Sequence, residues 1–115
     1  MSYKFETGAE VLEIIDKCKD REKLTKTLSF IHERLVSEGA PITGYMWQSL
    51  CNHVSAMVDR SQNKEKLEGF EESMFDEISA ESVKFAEEVT TMIGDLAPNE
   101  KFLLSVHFER AKIQA

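Results

Sequence analysis

Two histidines stand out in this chain by residue type and by setting. His53 lies within Leu50-Cys-Asn-His53-Val-Ser-Ala-Met-Val-Asp-Arg60, and His107 within Glu100-Lys-Phe-Leu-Leu-Ser-Val-His107-Phe-Glu-Arg110-Ala111. An unperturbed imidazole has a pKa of about 6.5, so at neutral pH it offers an unprotonated ring nitrogen. That nitrogen can act as a covalent nucleophile, a proton acceptor or a metal ligand. These two histidines are the candidate functional residues. The competing structural reading of each is a partly buried histidine hydrogen-bonded in a helix interface. The third histidine, His32, matches no motif and reads as a surface or boundary residue. A zinc site would need the histidines to converge, and no HxxxH or HxxE pair occurs among them. No metal or cofactor is therefore expected. No Gly-rich phosphate loop or nucleophilic triad pattern is present. Glu71, Glu72, Asp76 and Glu77 read as a solvated helix end rather than a calcium loop, lacking EF-hand spacing and its glycine.

Helices must position these side chains. The first is expected from Thr7 or Gly8 to about Cys18, with Val11, Leu12, Ile14, Ile15 and Cys18 at helical spacing. Asp20 is a good N-cap for the second, with Lys23 where a capping box would have Glu or Gln. Its apolar stripe is Leu24, Leu28, Ile31 and Leu35, flanked by Phe30, and Gly39 followed by Pro41 ends it. Thr43 caps a third helix whose broad apolar face holds Tyr45, Met46, Trp47, Leu50, His53, Val54 and Met57. Trp47 reads as a core or dimer-interface anchor. Ser61 to Gly69 is polar, either a frayed helix end or a loop. Phe70, Met74, Phe75 and Ile78 then suggest a turn or two of helix. Ser79 with Ser82 opens a fourth clear helix burying Val83, Phe85, Ala86, Val89, Met92, Ile93 and Leu96. Pro98 suits the first turn of the last helix, which carries Phe102, Leu103, Val106, His107 and Ala111. The expected fold is all-α, a compact bundle of about five helices.

The totals bound the possibilities. The 115 residues make one domain. Apolar content of 42% and charged content of 30% fit a globular protein and exclude a wholly disordered one. No apolar run would span a bilayer, and the polar N-terminus lacks a signal peptide's apolar core, so a cytoplasmic location is expected. Cys18 and Cys51 form no CxxC and are expected to be free, partly buried thiols. The net charge is −7; residues 61 to 100 carry eleven acidic side chains against three lysines. Phosphate-neutralising clusters of Lys and Arg are missing, which argues against direct nucleic-acid binding.

The segment from Leu50 to Arg60 resembles the first histidine motif of the PTS regulation domain, or PRD. Glu100-x-x-x-Leu104-x-x-His107-Phe resembles its second. The two lie in the family's order, and the resemblance covers nearly the whole chain. It implies a compact five-helix bundle with a regulatory rather than an enzymatic role, belonging to antiterminators and transcription activators of carbohydrate genes. It also implies that His53 and His107 accept phosphoryl groups from HPr or from enzyme II components of the phosphotransferase system. Arg60 and Glu100 match flanking motif positions. Asn52 departs from the acidic residue that many members carry just before the first histidine. With no effector domain attached, the module would act through a homodimer or a separate regulator protein. The alternative within the same fold is an interaction module that no longer accepts phosphate. A phosphoryl group adds about two negative charges. Arg60 and Arg110 are the nearest cations in sequence, Arg60 about two turns from His53 on the same face.

Overall fold

The computed structural model describes residues 5, 7–40, 42–65, 77–97 and 99–114. They form five helices: α1, Ala9–Lys17; α2, Arg21–Ser37; α3, Gly44–Asn63; α4, Ala80–Ile93; and α5, Glu100–Gln114. No strand occurs among the described residues. Pro98, Phe70, Met74, Phe75, Glu71, Glu72 and Asp76 lie outside them.

Helix boundaries follow local chemistry. Asp20 caps α2, its carboxylate accepting from the Lys23 amide at 3.0 Å. At the other end Gly39 takes a left-handed φ of 73°. Its amide donates to the Val36 carbonyl at 3.1 Å, and the Ala40 amide donates to the Leu35 carbonyl at 2.9 Å. This is a Schellman closure, which the glycine permits at no steric cost. α3 closes in the same pattern, but on Lys64, with φ of 60°. Ser79 caps α4 by accepting from the Ser82 amide at 3.2 Å. The C-terminal carbonyls of α4 are satisfied from neighbouring helices. Lys23 Nζ donates to the Ile93 carbonyl at 2.8 Å and Ser61 Oγ to the Gly94 carbonyl at 2.6 Å.

α3 is the central element. It buries Trp47, Leu50, Cys51, Val54, Ser55, Met57, Val58 and Ser61, while α1, α2, α4 and α5 all pack against it. Such a wide buried face exceeds the single stripe of a surface helix. Trp47 is a core residue, 1% exposed, with the Phe5 ring 5.5 Å away. Phe5 is thus part of the core. His32 borders that cluster, its ring 5.9 Å from Trp47. α4 and α5 share the most extensive helix contact. It is centred on Phe85 stacked against Phe108 at 4.2 Å, with Arg34 of α2 lying over Phe85.

Several expected core positions face outward. Tyr45 is 82% exposed, and Leu12 and Met92 are also exposed, because each lies at the margin of a stripe whose centre is taken by other residues. On α5 the inward face is Leu104, Phe108 and Ala111; Phe102, Leu103, Val106 and His107 are half-buried. Cys18 and Cys51 are free and buried.

Lys64 holds a backbone conformation that costs a side-chain-bearing residue about 1–2 kcal/mol. Lys64→Gly relieves this but gains unfolded-state entropy, so it is expected to raise stability by roughly 0.5–1 kcal/mol. Urea unfolding monitored by circular dichroism checks this; a lower midpoint would refute it.

Candidate functional site

The two motif histidines meet. His53 Nδ1 lies 3.0 Å from His107 Nε2, a hydrogen bond between the two rings, which cross at 64° with centroids 5.0 Å apart. The sequence singled out both residues, and a hydrogen bond between them is what the interaction-module alternative expects. Two helical turns along, a second contact joins the same helices. Arg60 Nε donates to Glu100 Oε2 at 3.1 Å and its terminal amino nitrogen to Glu100 Oε1 at 2.6 Å. This two-pronged geometry matches a planar guanidinium to a carboxylate.

The spacing accounts for both contacts together. Arg60 follows His53 by seven residues, and Glu100 precedes His107 by seven. Seven residues are about two turns, or ~10.5 Å of rise, so each pair lies on one face of its helix. The two contacts match only if α3 and α5 run antiparallel along that face. One rung of this short ladder is ionic; the other is the imidazole pair.

Glu100 is fully buried and Arg60 is 20% exposed. Glu100 also sits in the first turn of α5, where the helix dipole favours a carboxylate. The sequence offered Arg60 as a cation near His53, but the structure commits two of its nitrogens to Glu100. Arg110 is exposed and lines a small opening with His107, Ile42, Tyr45, Met46 and Ser49. Asn52 is exposed on α3 and lines a larger cleft between α1 and α3, of about 550 Å³, together with Tyr45, Ser49 and Asp59.

Both histidines are half-buried. Burial, then the neighbouring His107 and the Arg60 charge, lower the His53 pKa from its ordinary 6.5 to about 4. Burial, followed by Arg110, lowers that of His107. At neutral pH the pair is therefore uncharged. Among the described residues, Asn99 Oδ1 is the one buried side-chain polar atom without a partner. Among the described residues no hydrogen bond engages the outer ring nitrogens, His53 Nε2 and His107 Nδ1. The arrangement sets two neutral imidazoles side by side in the half-buried seam of a helix pair.

One functional-looking cluster escaped the sequence reading. Glu109 accepts from Ser82 Oγ at 2.7 Å, Ser79 Oγ at 2.8 Å and the Ser79 amide at 3.3 Å. The hydroxyls of Ser82 and Ser79 hold its carboxyl below the usual range. This fastens α5 to the N-terminus of α4, two residues beyond His107. Ser79 and Ser82 were legible as a cap; their long-range partner was not. Among the described residues no group of three or more His, Cys, Asp or Glu is placed to hold a metal ion.

The fold and the site together define an all-α module built around a hydrogen-bonded histidine pair. A search of solved structures finds a match over almost its whole length. It is similar to a PRD-containing transcription regulator from Lactobacillus casei ATCC 334, whose crystal structure was determined at 1.38 Å resolution. The TM-score is 0.88 and the identity 31%, covering 96% of this chain and 99% of that one. No protein-family model and no curated protein matches the chain. The chain belongs to the PRD family, and its fold is that of a PRD-like regulatory module.

Two outcomes are expected. The folded state keeps His53 neutral, whereas the unfolded chain protonates it near pH 6.5. Its contribution is full above that value and is lost as pH falls from about 6.5 towards 4, by on the order of 3 kcal/mol. Denaturation across this window should show the slope, and His53→Gln should flatten it. Glu100→Ala strands the Arg60 charge and should cost about 3–5 kcal/mol. The pair Arg60→Met with Glu100→Leu should recover much of that loss, measured by thermal unfolding.

Proposed function

We propose that this protein is a histidine-phosphorylated regulatory module of carbohydrate-linked transcription. HPr or an enzyme II component of the phosphotransferase system supplies the phosphoryl group. It acts by protein–protein contact, as a homodimer or on a separate regulator in the cytoplasm, and it is not an enzyme. The observation that carries this reading is the position of His53 and His107. The two residues that match the family's acceptor sites are brought together in a half-buried seam, with the outer nitrogen of each outside the contact that joins them. The low imidazole pKa values supply the unprotonated nitrogen that a phosphoryl acceptor needs at neutral pH.

Transfer from a phosphohistidine exchanges one N–P bond for another, so it is close to balanced. A group carrying about two negative charges then stands at a half-buried helix seam. Arg110, exposed beside His107, is the cation placed to meet it. The seam must repack around that charge, and this links phosphorylation to a change of binding surface.

A second reading has its own support. Mutually hydrogen-bonded, half-buried histidines are also what a purely structural interaction module of this fold would hold, and Asn52 leaves the acidic position before His53 unfilled. The two readings separate by intact-mass spectrometry at neutral pH after incubation with phosphoenolpyruvate, enzyme I and HPr. An acid-labile phosphoryl adduct is expected on the native chain, and none on the His53→Ala/His107→Ala double variant. Full incorporation by the double variant, or none by the native chain with an enzyme II component added, would overturn the proposal.

A further inference from the structure

We infer that His53 and His107 form one acceptor unit that carries a single phosphoryl group, on His53 Nε2 or on His107 Nδ1, with each ring taking the proton that the other must lose. This rests on the acceptor reading above and goes beyond it, since the motifs present two separate sites.

The argument follows from the inner contact. At 3.0 Å, His53 Nδ1 and His107 Nε2 hold one proton between them. Two neutral rings carry two nitrogen-bound protons in all. One bridges, and the other sits on one of the two outer nitrogens. When His53 donates the bridge, its Nε2 is a bare nucleophile and the outer proton is on His107 Nδ1. When His107 donates, the roles exchange. At any moment one outer edge of the pair is nucleophilic.

Consider attack by His53. The Nε2 lone pair forms a bond to the phosphorus of a donor phosphohistidine as the donor's N–P bond breaks. The donor nitrogen keeps that electron pair and gains a proton. Positive charge develops on the His53 ring, and the bridging proton crosses from Nδ1 to His107 Nε2. His107, now carrying two protons, releases the one on Nδ1 to solvent. The pair has lost one proton and the donor has gained one. The product is neutral at both rings and keeps its hydrogen bond, with His107 donating to phosphorylated His53. Attack by His107 Nδ1 is the mirror image.

A second phosphoryl group breaks this economy. Two neutral phosphoimidazoles have no ring proton left, so two lone pairs would face each other across the inner contact. Retaining the bridge requires a cationic ring in a setting where burial disfavours the charged form. Two groups of about two negative charges each would also crowd rings whose centroids are 5.0 Å apart. Two of the three Arg60 guanidinium nitrogens are already committed to Glu100.

The test loads the full-length chain with phosphorylated HPr and, separately, with phosphoramidate, and counts adducts by intact mass at neutral pH. The native chain should saturate at one phosphoryl group, split between the two rings on mapping. His53→Gln and His107→Gln should each still take one group, at a rate reduced by about a hundredfold or more for want of the proton acceptor. Two groups on the native chain, or single variants that load at the native rate, would overturn the inference and leave the acceptor reading intact. No loading from either donor would remove both. Independently of loading, ¹⁵N NMR should detect scalar coupling across the bond between His53 Nδ1 and His107 Nε2; its absence would also overturn the inference.

Discussion

A buried carboxylate sets the constraint on which the rest of this bundle depends. Glu100 is sealed from solvent at the first turn of α5, where an ionised group without a partner would be costly. The Arg60 guanidinium answers it with two nitrogens from the far end of α3. Because the geometry is two-pronged, it fixes direction as well as distance. α5 can neither slide by a turn nor rotate without stranding a charge. The histidine contact two turns away inherits that register, and so does the stacking of Phe108 on Phe85. A buried ion pair contributes little net stability compared with an apolar isostere, but breaking it halfway is expensive. That asymmetry suits an element whose task is to hold an alignment.

Around that register the packing is graded. The centre, made by α2, α3 and the inner faces of α4 and α5, is closed: Leu24, Leu28, Ile31, Leu50, Val54, Met57, Val58 and Leu104 are fully buried. The histidine seam is half-open. A closed core resists change because close-packed interiors move by discrete repacking. A seam held by one imidazole hydrogen bond, with charged groups at its rim, is easier to rearrange. The module therefore joins a rigid scaffold to one face where a new charge has structural consequences.

Membership of the PRD family and the imidazole pair agree in direction. The similar structure of known kind establishes the fold and the regulatory class. The contact between rings adds a chemical element that lies below the level of family resemblance. Proton position on one histidine is tied to proton position on the other.

The sequence by itself determined a good deal. Helical periodicity located all five helices, because an amphipathic stripe is written in residues three and four apart. Asp20, Gly39 and Ser79 marked ends correctly, since caps depend on a few neighbouring atoms. Two motifs named His53, His107, Arg60 and Glu100 as the residues to watch. Tertiary structure decided the rest. That Arg60 belongs to Glu100 and His53 to His107 depends on how α3 lies against α5, with the partners forty or more residues apart along the chain. Tyr45 and Met92 face outward although they satisfy a helical stripe, because a stripe is wider than the contact that covers it. The fall in the His53 pKa arises first from burial and then from His107, both supplied by packing, with Arg60 of the same helix adding to them. Local propensity sets where helices begin and end; which atoms then share a proton is set by packing alone.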